Sequence, residues 1–397
     1  MLLALFAINS VIEPMGIAQI VALLPLYLAK VGVPASEVPQ WVGLFTPLIF
    51  LFGLPFIPLW GVWADKYSRK AVIVRSAAVE AIVLAGVAAS QAPWQLAASL
   101  MLIGLSLGNT GVMLAVLRET VPPARLGTSF AIVGAAGPIG FALGPGLAAL
   151  LVEGLGRSLS DVFVVSSALM FVVTAMVAIW MPEVRPERVP SAPALRLAYG
   201  ALRGTLADAP TRALFLLFGV ALLAGQMTST YLPVLVQRIH GGGDGLVGAI
   251  GIVGGGAALV GALATPVAGA IGDRVGFRPV LCLGLAGAGV ALLTLPGSAS
   301  VAQLAAATTV YALCIGAARA MILALLAVEV PADRRSATLN LVYLPLYLAG
   351  IAGPALGAVL VAGGGVGLVY SAAGLILGAT GIAVAYGLRA ARATAPA

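Results

Sequence analysis

Three ionisable side chains, Glu13, Glu80 and Arg319, fall inside long apolar runs. A charge at the centre of a bilayer costs about 2.5–3.5 kcal/mol on insertion scales, so each such residue is a functional candidate by default. Asn9, Glu13 and Gly16 follow an i, i+4, i+7 spacing and share one helix face. The chemistry open to Glu13 is proton exchange; the alternative is a carboxyl satisfied by a neighbouring helix with no part in transport. Pro14, directly after it, predicts a local break. Arg319 keeps its charge at any ordinary pH and needs a carboxylate, backbone carbonyls or water. It fits a cavity residue or half of an interhelical pair, with Glu13 one possible partner. For Glu80, Arg75 is a poor partner: five residues place it roughly 140° round the helix.

Other chemistries lack their residues. The single histidine, His240, leaves no triad or histidine metal set, and Cys282 and Cys314 both fall in apolar stretches without metal-type spacing. No GxxxxGK[ST] motif is present, which removes ATP-driven pumping by this chain. No cofactor and no metal are expected.

The elements that must hold these residues are membrane helices. Of 397 residues, 61% are hydrophobic and 9% charged, and the mean hydropathy is +1.10. A soluble domain carries about 25% charged residues. Continuous apolar runs, rather than alternation over about 10 residues, argue against a transmembrane barrel. Polar and Pro/Gly-rich breaks divide the chain into twelve spans, near 2–29, 41–63, 71–91, 94–117, 127–152, 161–181, 213–239, 245–271, 279–297, 301–328, 337–362 and 366–388. The first is not a signal peptide: it lacks a basic lead-in and holds Glu13. Because the chain starts almost inside it, a short leader is expected ahead of Met1.

Charge orients the spans. Apart from Lys30, Arg157, Arg238 and the intramembrane Arg319, every Lys and Arg lies in even-numbered loops or the C-terminal tail. The basic side is cytoplasmic, so both termini face the cytoplasm. The formal charge of +7 is then a membrane-loop bias and not a nucleic-acid surface. The longest polar stretch, 182–212, reads as a cytoplasmic linker with an amphipathic piece around 193–206. It separates an N-terminal six-helix bundle, 1–181, from a C-terminal one, 213–397.

The halves repeat. Leu24-Pro25 matches Leu232-Pro233, Gly61 and Asp65 match Gly269 and Asp273, and Lys70 matches Arg278, all at an offset of 208. Val121-Pro122 matches Val330-Pro331, Arg125 matches Arg334, and Gly144-Pro145 matches Gly353-Pro354, at 209. Six spans separate the copies, so both halves enter the membrane in one orientation. Such parallel repeats are related by an axis along the membrane normal, with the substrate site expected between them near the midplane.

Two loop segments carry a resemblance. Gly61-Val-Trp-Ala-Asp65-Lys66-Tyr-Ser-Arg69-Lys70 and Gly269-Ala-Ile-Gly-Asp273-Arg274-Val-Gly276-Phe-Arg278 resemble the G-x-x-x-D-[RK]-x-G-[RK]-[RK] signature of the major facilitator superfamily. Ser68 and Phe277 depart from it. A short turn bearing one carboxylate among cations suits a lock onto neighbouring helix ends, and a solvated basic loop is the plainer reading. Span 5 holds Gly137-Pro138, Gly140 and Gly144-Pro145-Gly146. Gly140-x-x-x-Gly144 permits close helix approach. The run is similar to the superfamily's Gly-Pro exporter signature, with Ala148-Ala149 where a Gly pair is usual. Trp41-Val-Gly-Leu-Phe and Trp94-Gln95 resemble the twelve-span drug/proton antiporter group, which usually carries an Arg early in span 4. Leu100 stands there in this chain.

What the resemblance implies is an all-α membrane protein of twelve helices in two pseudo-symmetric six-helix bundles. Spans 1, 4, 7 and 10 would surround the cavity and span 3 would be peripheral, which ranks Glu80 below Glu13 and Arg319 for proton coupling. Cavity candidates are Asn9, Asn109, Thr110, Gln226, Thr230 and Tyr231; each alone is equally a helix–helix contact. Gly61, Asp65, Arg69, Lys70, Gly269, Asp273 and Arg278 form the conformational-switch loops, and Gly140, Gly144 and Pro145 the exporter motif. The implied function is export of small amphipathic compounds by alternating access and proton antiport, by a multi-pass monomer of the cell membrane, the inner membrane in a bacterium. Its partners would be substrate, protons and lipid. An uncoupled exporter or facilitator of one metabolite, such as a sugar or lysolipid, is the alternative. The repeat and the missing catalytic constellation disfavour an enzyme or receptor.

Overall fold

Backbone polar groups have no water to pair with inside a bilayer, so apolar runs of 20–30 residues close their hydrogen bonds within helices. In the computed structural model the chain does this throughout; the structure describes residues 1–106, 108–184, 193, 195–196, 199–200, 203, 207–329 and 343–393. Among the described residues eleven helical stretches are long and apolar enough to cross a membrane.

The helices are α1 (Leu2–Lys30), α2 (Val38–Phe45), α3 (Leu48–Leu51), α4 (Ile57–Lys66), α5 (Arg69–Ala89), α6 (Pro93–Ile103), α7 (Thr110–Thr120), α8 (Pro123–Ala149) and α9 (Leu159–Trp180), followed by α10 (Ala209–His240), α11 (Leu246–Ile250), α12 (Ala257–Val275), α13 (Phe277–Thr294), α14 (Val301–Glu329), α15 (Tyr343–Gly364) and α16 (Val366–Ala393). They form two compact units, Met1–Trp41 with Phe45–Gly204, and Val42–Leu44 with Thr205–Ala397.

Three expectations need correction. α1 runs unbroken through both Pro14 and Pro25; a proline frees one carbonyl, which neighbouring elements in a bundle can satisfy without ending the helix. Span 2 is not one helix but α2, α3, a 3₁₀ turn at Leu54–Phe56 and α4. Pro47, Gly53, Pro55 and Pro58 punctuate it. Span 4 is likewise split into α6 and α7, with Gly108 at φ +99°, a left-handed angle that glycine takes at little cost. This split is why eleven crossings, not twelve, meet the length criterion: α6 is only 11 residues. Of the linker, Leu195, Arg196, Tyr199, Gly200 and Arg203 are helical. Arg185, Arg188, the repeat positions Val330, Pro331 and Arg334, and the start of the eleventh span at 337–342 lie outside the described residues.

In the first unit α1 packs on α8 and α9, and α5 on α9. Gly140 of α8 meets the Val11 carbonyl, and a Cβ on Gly144 would lie 2.5 Å from the Met15 carbonyl oxygen. The small-residue spacing thus brings α8 onto the α1 backbone. Gln19 fastens the crossing, donating to the Gly144 carbonyl at 3.2 Å and accepting from Ser166 at 2.6 Å. Tyr27, fully buried, stacks edge-on to Phe163 at 5.4 Å.

The second unit repeats this plan. α10 packs on α15 and α13 on α16, as first helix on fifth and third on sixth. A Cβ on Gly353 would lie 3.0 Å from the Leu223 carbonyl oxygen of α10, matching Gly144 against α1. Tyr231 donates to the Pro354 carbonyl at 3.1 Å and Tyr370 to the Thr228 carbonyl at 3.0 Å.

Candidate functional site

The site is built on one face of α1. Glu13 is 6% exposed and Asn9 fully buried. Asn9 Nδ2 donates to Glu13 Oε2 at 3.0 Å, which the i, i+4 spacing allows. Asn109 Nδ2 donates to the same oxygen at 2.6 Å. Asn109 occupies the N-cap of α7, immediately after the break in span 4. The break therefore brings an amide to the carboxylate at a helix start, where four backbone N–H groups are also unpaired.

The break is packed from three sides. Gly53 and Gly104 meet backbone to backbone, with a Cβ on Gly104 only 2.5 Å from the Gly53 nitrogen. The Ser76 hydroxyl donates to the Ser106 carbonyl. Trp60 of α4 lies against Gly108, where a Cβ would be 3.0 Å from its ring. Over the same indole sits the Arg75 guanidinium, 3.4 Å from the ring centroid. A cation over tryptophan is the most favourable pairing of its kind.

Glu80 faces into the first unit. It is fully buried, and its carboxyl packs against Gly16, where a Cβ would lie 2.7 Å from Oε1. Among the described residues neither carboxyl oxygen has a hydrogen-bond partner. Gly16 and Glu13 are three residues apart, so both acids abut the same stretch of α1. The glycine is what admits the second one.

At the far end of α7 stands an ionic cluster. Arg69, 4% exposed, pairs with Asp65 at 2.8 Å and with Glu119 at 2.6 Å. Gly61, Asp65 and Lys66 lie in α4 and Lys70 in α5, so the expected loop is mostly helix with Tyr67-Ser68 as the turn. Ser68 is extended (φ −160°) and caps α5 by accepting from the Ala71 amide at 2.9 Å. Its repeat counterpart Gly276 takes φ +93°. A serine resists that angle, so capping replaces the glycine turn in the first copy. In the second copy Gly269, Asp273 and Arg278 lie at the end of α12 and start of α13, with Asp273 and Arg278 exposed.

In the second unit the candidates stay closer to their own helix. Thr230 donates to the Gln226 carbonyl at 2.7 Å, and Tyr231 is fully buried on α15. Gln226 is half-buried, and Thr110, in the first unit, is exposed. Arg319 lies mid-α14 over Gly225 of α10. Cys282 and Cys314 are free thiols. Among the described residues no cluster of His, Cys, Asp or Glu is placed to hold a metal.

Sequence reasoning missed Trp60, Arg75, Glu119 and Gln19. Arg75 counted as a loop cation because only six residues separate it from the start of α5. The signal for Glu119 was available, since it follows Arg118 at the end of a span; the others depend on which helix neighbours which.

Apolar crossings in two units of one plan, with buried acids in the first, define a multi-pass membrane protein of the secondary-transporter kind. The pattern of the Major Facilitator Superfamily matches residues 6–261 and 244–397, and the chain belongs to that family. It is not an enzyme but a transporter of that family. It is 27% identical over 266 residues to the Multidrug resistance protein MdtG of Salmonella typhi, a match spanning 66% of this chain and 64% of that one, less than two thirds of the relative's length. Among solved structures, that of the nucleoside transporter NupG aligns with a TM-score of 0.74 at 17% identity, covering 98% of this chain and 98% of the other. A bacterial homolog of the human lysosomal transporter Spinster, inward-facing and occupied, aligns at 0.75 and 16%, covering 98% and 96%. At these identities the structures share the fold.

Proposed function

We propose that the chain exports small amphipathic compounds across the cell membrane by proton antiport, alternating access between the two sides. Both termini and the 182–212 linker are taken as cytoplasmic, with bundles at 1–181 and 213–397. The observation that carries the coupling is the pair of buried acids on one stretch of α1, Glu13 held by Asn9 and Asn109, and Glu80 against Gly16 without a donor. An ionised carboxylate without donors is costly to bury, and a bound proton removes that cost. Glu13 has donors, so its charged form is supported. The two acids therefore have different environments, the arrangement in which one of a pair holds a proton and the other exchanges it. The groups facing Glu13 are Asn9, Asn109 and, from α5, Glu80 and the Arg75 charge. Likeness to a multidrug resistance protein supports export of drug-like compounds.

In proteoliposomes with an imposed pH gradient, the wild type should concentrate substrate uphill. Glu13→Gln preserves shape and removes titration, so it should abolish the pH-driven component while substrate binding persists. Undiminished uphill transport by the variant would make Glu13 structural. Leu100, fully buried where a drug/proton antiporter would carry Arg, favours the second reading, an uncoupled exporter of a metabolite such as a sugar or lysolipid. Transport indifferent to the pH gradient in the wild type would select it.

A further inference from the structure

The second unit carries one charge deep within its spans, and among the described residues no ion pair holds it. Its other charged residues in described helices sit at or near helix ends: Arg212 and Arg238 on α10, Asp273 and Arg274 on α12, Arg278 at the start of α13, Glu329 at the end of α14, and Arg389 and Arg392 in the last turns of α16. Arg319 is ten residues from the end of α14, and no carboxylate of that unit's described spans lies at its depth. The guanidinium cannot discharge itself by losing a proton. Its Nε is buried without a hydrogen-bond partner.

The guanidinium packs onto the glycine: a Cβ on Gly225 would overlap Nη2, so a side chain there would push the fork aside. The Tyr311 hydroxyl reaches the same spot, 3.5 Å from where a Gly225 Cβ would stand. Thr228, one turn further along α10, spends its hydroxyl hydrogen on its own helix, toward the Ala224 and Gly225 carbonyls. What remains is a planar fork of donors and a phenol, with no acid. This donor set matches a carboxylate, sulfonate or phosphonate, which a guanidinium can hold through paired hydrogen bonds.

We infer that Arg319, over Gly225 and beside Tyr311, anchors an anionic group of the transported compound, so that the substrates are amphipathic anions or zwitterions. The inference rests on the transporter reading above and narrows its substrate class. It also assigns the charges a division of labour: acids of the first unit carry protons, and the deep cation of the second holds the substrate's charge.

Binding tests this without requiring transport, so a failure of proton coupling leaves the result readable. The full chain in lipid nanodiscs is titrated with three fluorescent probes sharing one ring system: naphthalene sulfonate, naphthyl trimethylammonium and an uncharged naphthyl ether alcohol. The wild type should bind the sulfonate roughly tenfold or more tighter than the ammonium. Arg319→Gln should erase that preference and leave the neutral probe's affinity within about twofold. Arg319→Lys should retain part of it. Should Arg319→Gln fail to fold, Gly225→Ala crowds the fork and should weaken the sulfonate selectively. Preference of the wild type for the ammonium, or an unchanged sulfonate preference in both Arg319→Gln and Gly225→Ala, would overturn the assignment.

Discussion

Asn109 is the residue on which the first unit's chemistry turns, because it reaches Glu13 from a different helix at 2.6 Å. Replacing it with Leu removes a donor from a buried acid. The expected loss is about 1–3 kcal/mol, read as a lower melting temperature at neutral pH. The deficit should shrink at low pH, where a protonated Glu13 no longer depends on the amide; an equal deficit at both pH values would separate Asn109 from the acid's charge. Glu80→Gln should keep the packing on Gly16 and melt close to the wild type. Gly16→Leu should not, since the carboxyl occupies that space. Part of this was legible in the sequence: the i, i+4, i+7 face of Asn9, Glu13 and Gly16 follows from helix periodicity alone. That Glu80 abuts Gly16 was not, because periodicity gives the face of one helix and says nothing of its neighbour.

At the scale of elements, glycine spacing proved more informative than hydropathy. Gly140-x-x-x-Gly144 announced a close crossing, and α8 makes it against the α1 backbone. Gly140→Leu should force the helices apart, with overpacking of this kind costing about 1–3 kcal/mol; the yield of folded protein and its melting temperature are the readouts, and a wild-type melt would deny the crossing. Hydropathy alone joined α6 to α7, because Gly104–Asn109 is itself mostly apolar and carries no strong breaker beyond its two glycines. The Arg69 cluster belongs to this scale too. Glu119→Gln should leave Arg69 with only the half-exposed Asp65 and slow transport while sparing substrate affinity, as a change in a conformational equilibrium would. A coupling of that sort is typically about 1–3 kcal/mol.

For the molecule as a whole, the repeat was readable at offsets of 208 and 209, and it has a physical counterpart: Gly144 and Gly353 perform the same contact in their own units. Where the copies diverge, the divergence is local chemistry, as at Ser68 and Gly276. The orientation proposed from basic residues is open to a direct check. A cysteine placed at Arg196 or Arg203, on a background lacking Cys282 and Cys314, should react with impermeant maleimide only from the cytoplasmic side. Labelling from outside intact cells would reverse the topology.

The interruption of span 4 has a consequence for the timescale on which that region breathes. The first intrahelical bond of α7 runs from the Met113 amide to the Asn109 carbonyl, so among the described residues the amides just before Met113 begin a helix without intrahelical partners. A continuous crossing would bury its slowest-exchanging protons at mid-depth. Here the middle of a crossing should instead take up deuterium early, in a narrow band at Thr110–Val112, while the flanking turns of α6 and α7 remain protected. Titrating Glu13 should shift the uptake of that band and leave α8 unchanged, which would make an acid buried in α1 visible as a change in solvent traffic through its neighbour.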